Sequence, residues 1–177
     1  KQAIQKGARH ATHLYNAMTP FTHRAPGVVG AVFDSDIMAE VISDGKHLAP
    51  AVVRITFSIL GADRVVLISD SLEACGMPTG RYELGGQTVL VEDGLAKLEN
   101  GTIAGSATNL FEGMRRAIRF GVPEEEAVRA ATYNPILAIG REKEFGSIVS
   151  GKFADLVVAD SEYQIEKVFV HGKEMVR

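Results

Sequence analysis

The sequence predicts an α/β protein with a small β module behind it, and three observations carry the prediction. First, "ATHLYN", "IMAEVISDG" and "RVVLISDS" read as strands, and the "HLAPAVVRITFSILGA" between the last two has apolar residues at helical spacing. Strand, loop, helix, strand is the βαβ order. Second, "RVVLISDS" is nearly all apolar, as a strand buried on both faces of a parallel sheet is. Third, everything from residue 146 onward reads as three short strands with alternating patterning and a His-Gly-Lys turn.

Taken in order, residues 1–7 suit the end of a helix closing on glycine. "ATHLYN" follows as a short buried strand, then a loop bearing proline and glycine, then a second strand over 37–45. The helical spacing runs up to Gly61 and leads into the third strand. Residues 80–98 differ: "RYELGG", "QTVLVEDG" and "LAKLE" form a β insert of short antiparallel strands joined by Gly-Gly and Asp-Gly turns. Helices resume over 109–120 and 123–132, the second with proline in its first turn and three glutamates favouring its N-terminus. "YNP" is expected to stop that helix.

Composition bounds the function classes. The 177 residues are 46% hydrophobic with 18 glycines, enough for one substantial core and many turns. Nineteen Lys and Arg against 22 Asp and Glu give a net charge of −3, which points away from nucleic acid and from an anionic membrane surface. Cys75 is the one cysteine, so no internal disulfide forms and a reducing, cytoplasmic setting is expected. No apolar run approaches the roughly 18 residues of a membrane span, and the start lacks a signal-peptide pattern. The chain begins at Lys1, without methionine, in what reads as mid-helix sequence, so a preceding segment is expected.

Three strand ends deliver polar groups into the loops after them: His13 with Asn16, Asp44 with His47, and Asp70 with Ser71. In parallel α/β architectures the C-terminal ends of strands build the site. His13 is either a metal ligand or a hydrogen-bonded core histidine. His10, three residues earlier on the opposite strand face, reads as structural. Asp70 is a general base, a metal ligand or a cap of the next turn. Arg24 and His47 suit an anion clamp, since guanidinium offers forked donors to phosphate; the competing reading is solvated loop residues. His23 reads as a loop histidine. "NGTIAGSATN" lacks the spacing of a phosphate-binding loop and reads as a turn that admits a ligand closely.

"ATHLYNAM", "SDGKHLAP", "LISDSLEACGMPTGRYELGG", "NGTIAGSATNL" and "GSIVSGKFADLVVAD", in that order and over the whole length, resemble the N-acetylglucosamine-6-phosphate deacetylase family of the amidohydrolase superfamily. The first motif is specific to the family, and the last is shared across the superfamily. The resemblance implies His13 as a ligand of the catalytic divalent metal, most often zinc, with iron or another divalent ion in its place in some members. It implies Asn16 and Ala17 in holding the sugar phosphate. Arg24 would be a phosphate arginine reaching across a homodimer interface, and His47 a further substrate-binding residue. Asp70 is implied as the catalytic aspartate, followed here by Ser71 where the family commonly has alanine. The implied reaction is hydrolysis of the acetamide to acetate and glucosamine 6-phosphate, with Asp70 taking a proton from water and passing it to the departing amine.

The same resemblance implies the C-terminal part of a (β/α)8 TIM-type barrel, about strands six to eight, over residues 1–145. Strands of a small β-sandwich domain would follow over 146–177. A complete barrel takes about 250 residues, and the family's other ligands stand upstream of where this sequence starts. One histidine and one aspartate are fewer than the three protein ligands usual in catalytic zinc sites, so the chain alone is expected not to hydrolyse substrate and to expose an apolar sheet edge. The competing readings are an amidohydrolase of another amide, or a non-catalytic remnant serving oligomerisation or sugar-phosphate binding.

Overall fold

Three short apolar segments build a parallel sheet in the order β1 (His10–Ala11), β2 (Met38–Ile42), β3 (Val65–Ile68) in the computed structural model, which describes residues 1–175. Ala39, Val41, Ile42, Val65, Val66 and Leu67 are buried, as the apolar runs required. The crossover from β2 to β3 is α3 (Pro50–Leu60), with proline in its first turn and Gly61 at φ 71° ending it. Its buried Val53, Thr56, Phe57 and Leu60 follow the i, i+3, i+4, i+7 spacing of one helix face. Two helices precede it: α1 (Gln2–Gln5), and α2 (Gly27–Phe33), which buries Val29 and Val32.

β3 is covered by α3, α4 (Leu110–Arg119) and α5 (Glu124–Ala131). The Asn109 side chain caps α4 by accepting the Glu112 amide at 2.9 Å. Between β3 and α4 lies an antiparallel sheet of four strands in sequence order, β4 (Gly80–Leu84), β5 (Gln87–Glu92), β6 (Leu95–Leu98) and β7 (Ile103–Ser106). Its hairpins turn at Gly85–Gly86 and Asp93–Gly94, all four at positive φ, the backbone that two-residue hairpin loops demand. The sequence pattern does not mark β7. "IAGS" has no alternation and contains a glycine, and only its pairing with β6 makes it a strand.

These elements fall within one compact unit, Lys1–Ala131, and a second unit spans Thr132–Arg177. Within the second, β8 (Leu156–Ala159), β9 (Ile165–Val170) and β10 (Lys173–Met175) form an antiparallel sheet with the expected His171–Gly172 turn. Residues ahead of 146 pack with it: Phe145 stacks on Phe153 at 5.0 Å, and the Phe153 amide donates to the Glu144 carbonyl at 2.9 Å.

One local expectation is corrected. "ATHLYN" is a strand only through Ala11; His13, Tyr15 and Ala17 take φ of 29°, 76° and 52° and turn away. The helix ahead of "YNP" ends as expected, α5 stopping at Ala131. The chain breaks at Thr132 and restarts as α6 (Tyr133–Ala138), with Pro135 inside the first turn, where no helical amide donor is lost.

Candidate functional site

Parallel strands put their C-terminal ends on one edge of the sheet, and three of the candidate residues leave from that edge. His13 stands two residues past β1, Asp44 two past β2 and Asp70 two past β3. Ile42 pairs with Ile68, so Asp44 and Asp70 depart from neighbouring strands at one level, about 5 Å apart by strand spacing. β1 ends lower, with Ala11 opposite Ala39.

The turn carrying His13 is held from beneath by Glu40. One carboxylate oxygen of Glu40 accepts the Thr12 hydroxyl at 2.6 Å and the His13 amide at 3.3 Å, while the other meets His10 Nε2 at 3.0 Å. Burial alone would raise the Glu40 carboxyl, but these hydrogen bonds hold it below the usual range. His10 thus has a structural partner. Tyr15 fastens the far side of the turn, its hydroxyl 2.6 Å from Thr56 Oγ1 on α3, and burial pushes the phenol up. The Asn16 side chain donates to the His13 and Leu14 carbonyls at 3.4 and 3.3 Å, closing the turn.

His13 itself is left with a buried Nδ1 that has no hydrogen-bond partner. A core histidine would have satisfied that nitrogen, so its chemistry fits a ligand role. The rest of a metal site does not assemble: no group of three or more His, Cys, Asp or Glu among the described residues is arranged to hold an ion.

At the end of β2, His47 Nδ1 meets Asp44 Oδ2 at 2.7 Å, with side chains 3% and 2% exposed. Asp44 Oδ1 accepts the Lys46 and His47 amides at 2.8 and 2.9 Å. Burial opposes the Asp44 charge, and the hydrogen bonds from His47 and these amides outweigh it, holding the carboxyl below its ordinary value. Arg116 of α4 donates to the Asp44 carbonyl and the Ser43 hydroxyl donates to the Gly113 carbonyl at 2.8 Å, which ties this loop to the helix layer. His47 is therefore no solvated loop residue: Nδ1 is committed to Asp44 and only Nε2 remains for a ligand.

Asp70 is exposed at φ 48°. Its carboxylate caps no turn among the described residues, so it is free for chemistry. Arg24 and Ala17 are exposed on the loop after the His13 turn, and Arg24 makes no hydrogen bond or ion pair among the described residues. The structure therefore brings His13, Asp44, His47 and Asp70 to one sheet edge and does not join Arg24 to His47. Glu40 carries a legible signal in the sequence, a lone acid within the apolar run "IMAEVIS", that pattern alone does not assign to the His13 turn.

A family model described as the amidohydrolase family matches residues 1–175. An N-acetylglucosamine-6-phosphate deacetylase from Vibrio furnissii is 37% identical over 175 residues, 98% of this chain and 44% of that protein. The crystal structure of the N-acetylglucosamine-6-phosphate deacetylase from Pasteurella multocida superposes with a TM-score of 0.95 at 38% identity, covering 99% of this chain and 47% of that one. A putative N-acetylgalactosamine-6-phosphate deacetylase from Escherichia coli K12 is 35% identical over 163 residues, 91% of this chain and 97% of that protein. The chain thus spans about half the length of the first two relatives and nearly all of the third.

Proposed function

The chain belongs to the amidohydrolase family, and from that premise we propose that it forms the C-terminal half of a deacetylase that hydrolyses N-acetylglucosamine 6-phosphate to glucosamine 6-phosphate and acetate. The observation that carries the proposal is the shared sheet edge. An unpartnered imidazole nitrogen at His13 and an uncommitted carboxylate at Asp70 leave the ends of strands of one parallel sheet. On this reading residues 1–145 are about strands six to eight of a (β/α)8 barrel, and 146–177 are strands of a small β-sandwich domain.

Asp70 takes a proton from the attacking water and returns it to the amine as the tetrahedral intermediate collapses. Its exposed carboxylate, free of hydrogen bonds to the loop, suits both transfers. His47, held by Asp44, presents Nε2 to the phosphate; Asn16 and the backbone at Ala17 orient the sugar, and Arg24 reaches a phosphate across a homodimer interface. A divalent metal, zinc first and iron or another divalent ion second, is proposed with His13 as one ligand; when bound, it polarises the acetamide carbonyl. The described residues contribute too few donors for that ion, so the remaining ligands are assigned to the segment equivalent to the half of the longer relatives that this chain does not match. A cytoplasmic setting accords with the composition, and no helix among the described residues is long and apolar enough to cross a membrane.

The test is acetate release from N-acetylglucosamine 6-phosphate with added zinc. This chain would be assayed alone and mixed with the part of the Vibrio furnissii relative that it does not cover. Activity only in the mixture is expected. No activity in the mixture, or equal activity from the chain alone, overturns the proposal. The Escherichia coli relative favours a second reading in which the sugar is the galactose epimer; a higher kcat/KM for N-acetylgalactosamine 6-phosphate in the same mixture would select it.

A further inference from the structure

The β insert is fastened to the loop that carries Asp70, and the fastening runs through one buried serine. Ser106, the last residue of β7, is fully buried. Its amide donates to the Asp70 carbonyl at 2.9 Å, its hydroxyl donates to the Ser69 carbonyl at 2.5 Å, and its own carbonyl accepts the Leu72 amide at 2.9 Å. These bonds grip the chain on both sides of Asp70, and a parallel bridge between Ser71 and Ser106 lies between them. Ser71 adds a bond of its own, donating to the Ser69 hydroxyl at 2.7 Å.

The grip matters because Asp70 lies in left-handed backbone at φ 48°. A residue with a β-carbon keeps that conformation only where its surroundings over-determine it. The neighbouring Gly105, at φ 145°, lets the strand come close enough: a β-carbon there would stand 3.0 Å from the Asp70 carbonyl oxygen and 3.0 Å from Leu72 Cδ2. The sheet edge explains where Asp70 leaves β3, but not which way its backbone then turns.

We propose that Ser106 is the positioning residue of Asp70. The β insert holds the aspartate in its left-handed conformation through the Ser106 amide and hydroxyl, so that its carboxylate faces the reacting amide instead of following the turn. The catalytic consequence rests on Asp70 being the general base of the proposed deacetylase; the backbone clamp does not.

Two readouts separate those layers. In the 177-residue chain, the HN–Hα coupling and Cα shift of Asp70 report its φ, with the amides of Val65–Ile68 as the control for an intact sheet. Ser106→Ala is expected to move the Asp70 signals towards right-handed values and leave the control unmoved. Gly105→Ala, which crowds the Asp70 carbonyl that the Ser106 amide binds and leaves the hydroxyl untouched, is expected to do likewise. Ser106→Cys, with a weak donor of similar size, should fall between wild type and Ser106→Ala. In the mixture described above, kcat for acetate release should fall about tenfold or more while KM changes less than about twofold, the pattern of a group that matters in the transition state. Asp70 signals that stay in place in both Ser106→Ala and Gly105→Ala overturn the clamp. Signals that move while kcat holds uphold the clamp and refute Asp70 as the base.

Discussion

Asp44→Ala is the substitution expected to damage the fold most for its size. The carboxylate accepts three hydrogen bonds, from the Lys46 amide, the His47 amide and His47 Nδ1, at 2.8, 2.9 and 2.7 Å. Both side chains are almost fully buried, so water cannot replace the lost acceptor. A net hydrogen bond to a charged group contributes about 1.5–3 kcal/mol. The three bonds share one desolvated carboxylate and do not add. The relevant scale is that of buried donors left without their acceptor, about 1–3 kcal/mol or more. Asp44→Asn keeps an oxygen for the two amides and weakens the His47 bond, and is expected to lose about 1–2 kcal/mol. Urea unfolding at pH 7, followed by circular dichroism, reads both as a lower midpoint at unchanged m. A double-mutant cycle with His47→Ala isolates the pair, with a coupling of about 1–3 kcal/mol expected. A loss under about 1 kcal/mol for Asp44→Ala, together with no coupling, would refute the reasoning, because the pair would then be open to solvent.

Three further outcomes follow from the same geometry. Glu40 and Asp44 are both held below their ordinary values, so the unfolded chain binds protons more readily than the folded one; their stabilisation is complete above the unfolded carboxyl range near about pH 4 and is lost as pH falls through the lower folded values. Acid unfolding of Asp44→Asn should therefore show a shallower loss on that limb than wild type, and equal slopes would count against the Asp44 assignment. Arg24→Ala, at an exposed position, should leave the unfolding midpoint within about 0.5 kcal/mol of wild type. The same substitution should weaken sugar-phosphate binding about tenfold, on the scale of a lost charge-assisted bond, as titration calorimetry of the mixture would show. Finally, β1 pairs only with β2 and leaves its other edge unpaired by any strand among the described residues. The chain alone should therefore self-associate on gel filtration as concentration rises, and a monomer at every concentration would contradict that.

Period and punctuation made much of this protein legible. The buried run "RVVLIS", the helical spacing ahead of Gly61 and the Gly-Gly and Asp-Gly turns are local signals, and each became the element it indicated. Polar residues at three successive strand ends fall together on one edge of the parallel sheet. β7 was harder to see, because "IAGS" becomes a strand only through a partner elsewhere in the chain. The His13 turn departs from the strand its apolar pattern predicts for a related reason: its backbone bonds to Glu40 on the next strand and its Tyr15 side chain to Thr56 on α3.

By itself, then, the sequence determined the α/β class, the parallel order implied by its crossover and the types of residue placed at the strand ends, since propensity and periodicity act over a few neighbouring residues. Only the tertiary structure decided that His13 Nδ1 is left without a partner, that Asp44 sequesters one face of His47, and that Ser106 grips the backbone of Asp70. The Ser106 grip joins chemically ordinary residues 36 positions apart in the chain. Hydrogen bonding depends on distance and direction in space, and no pattern along the chain encodes either until the sheet has brought the strand ends together.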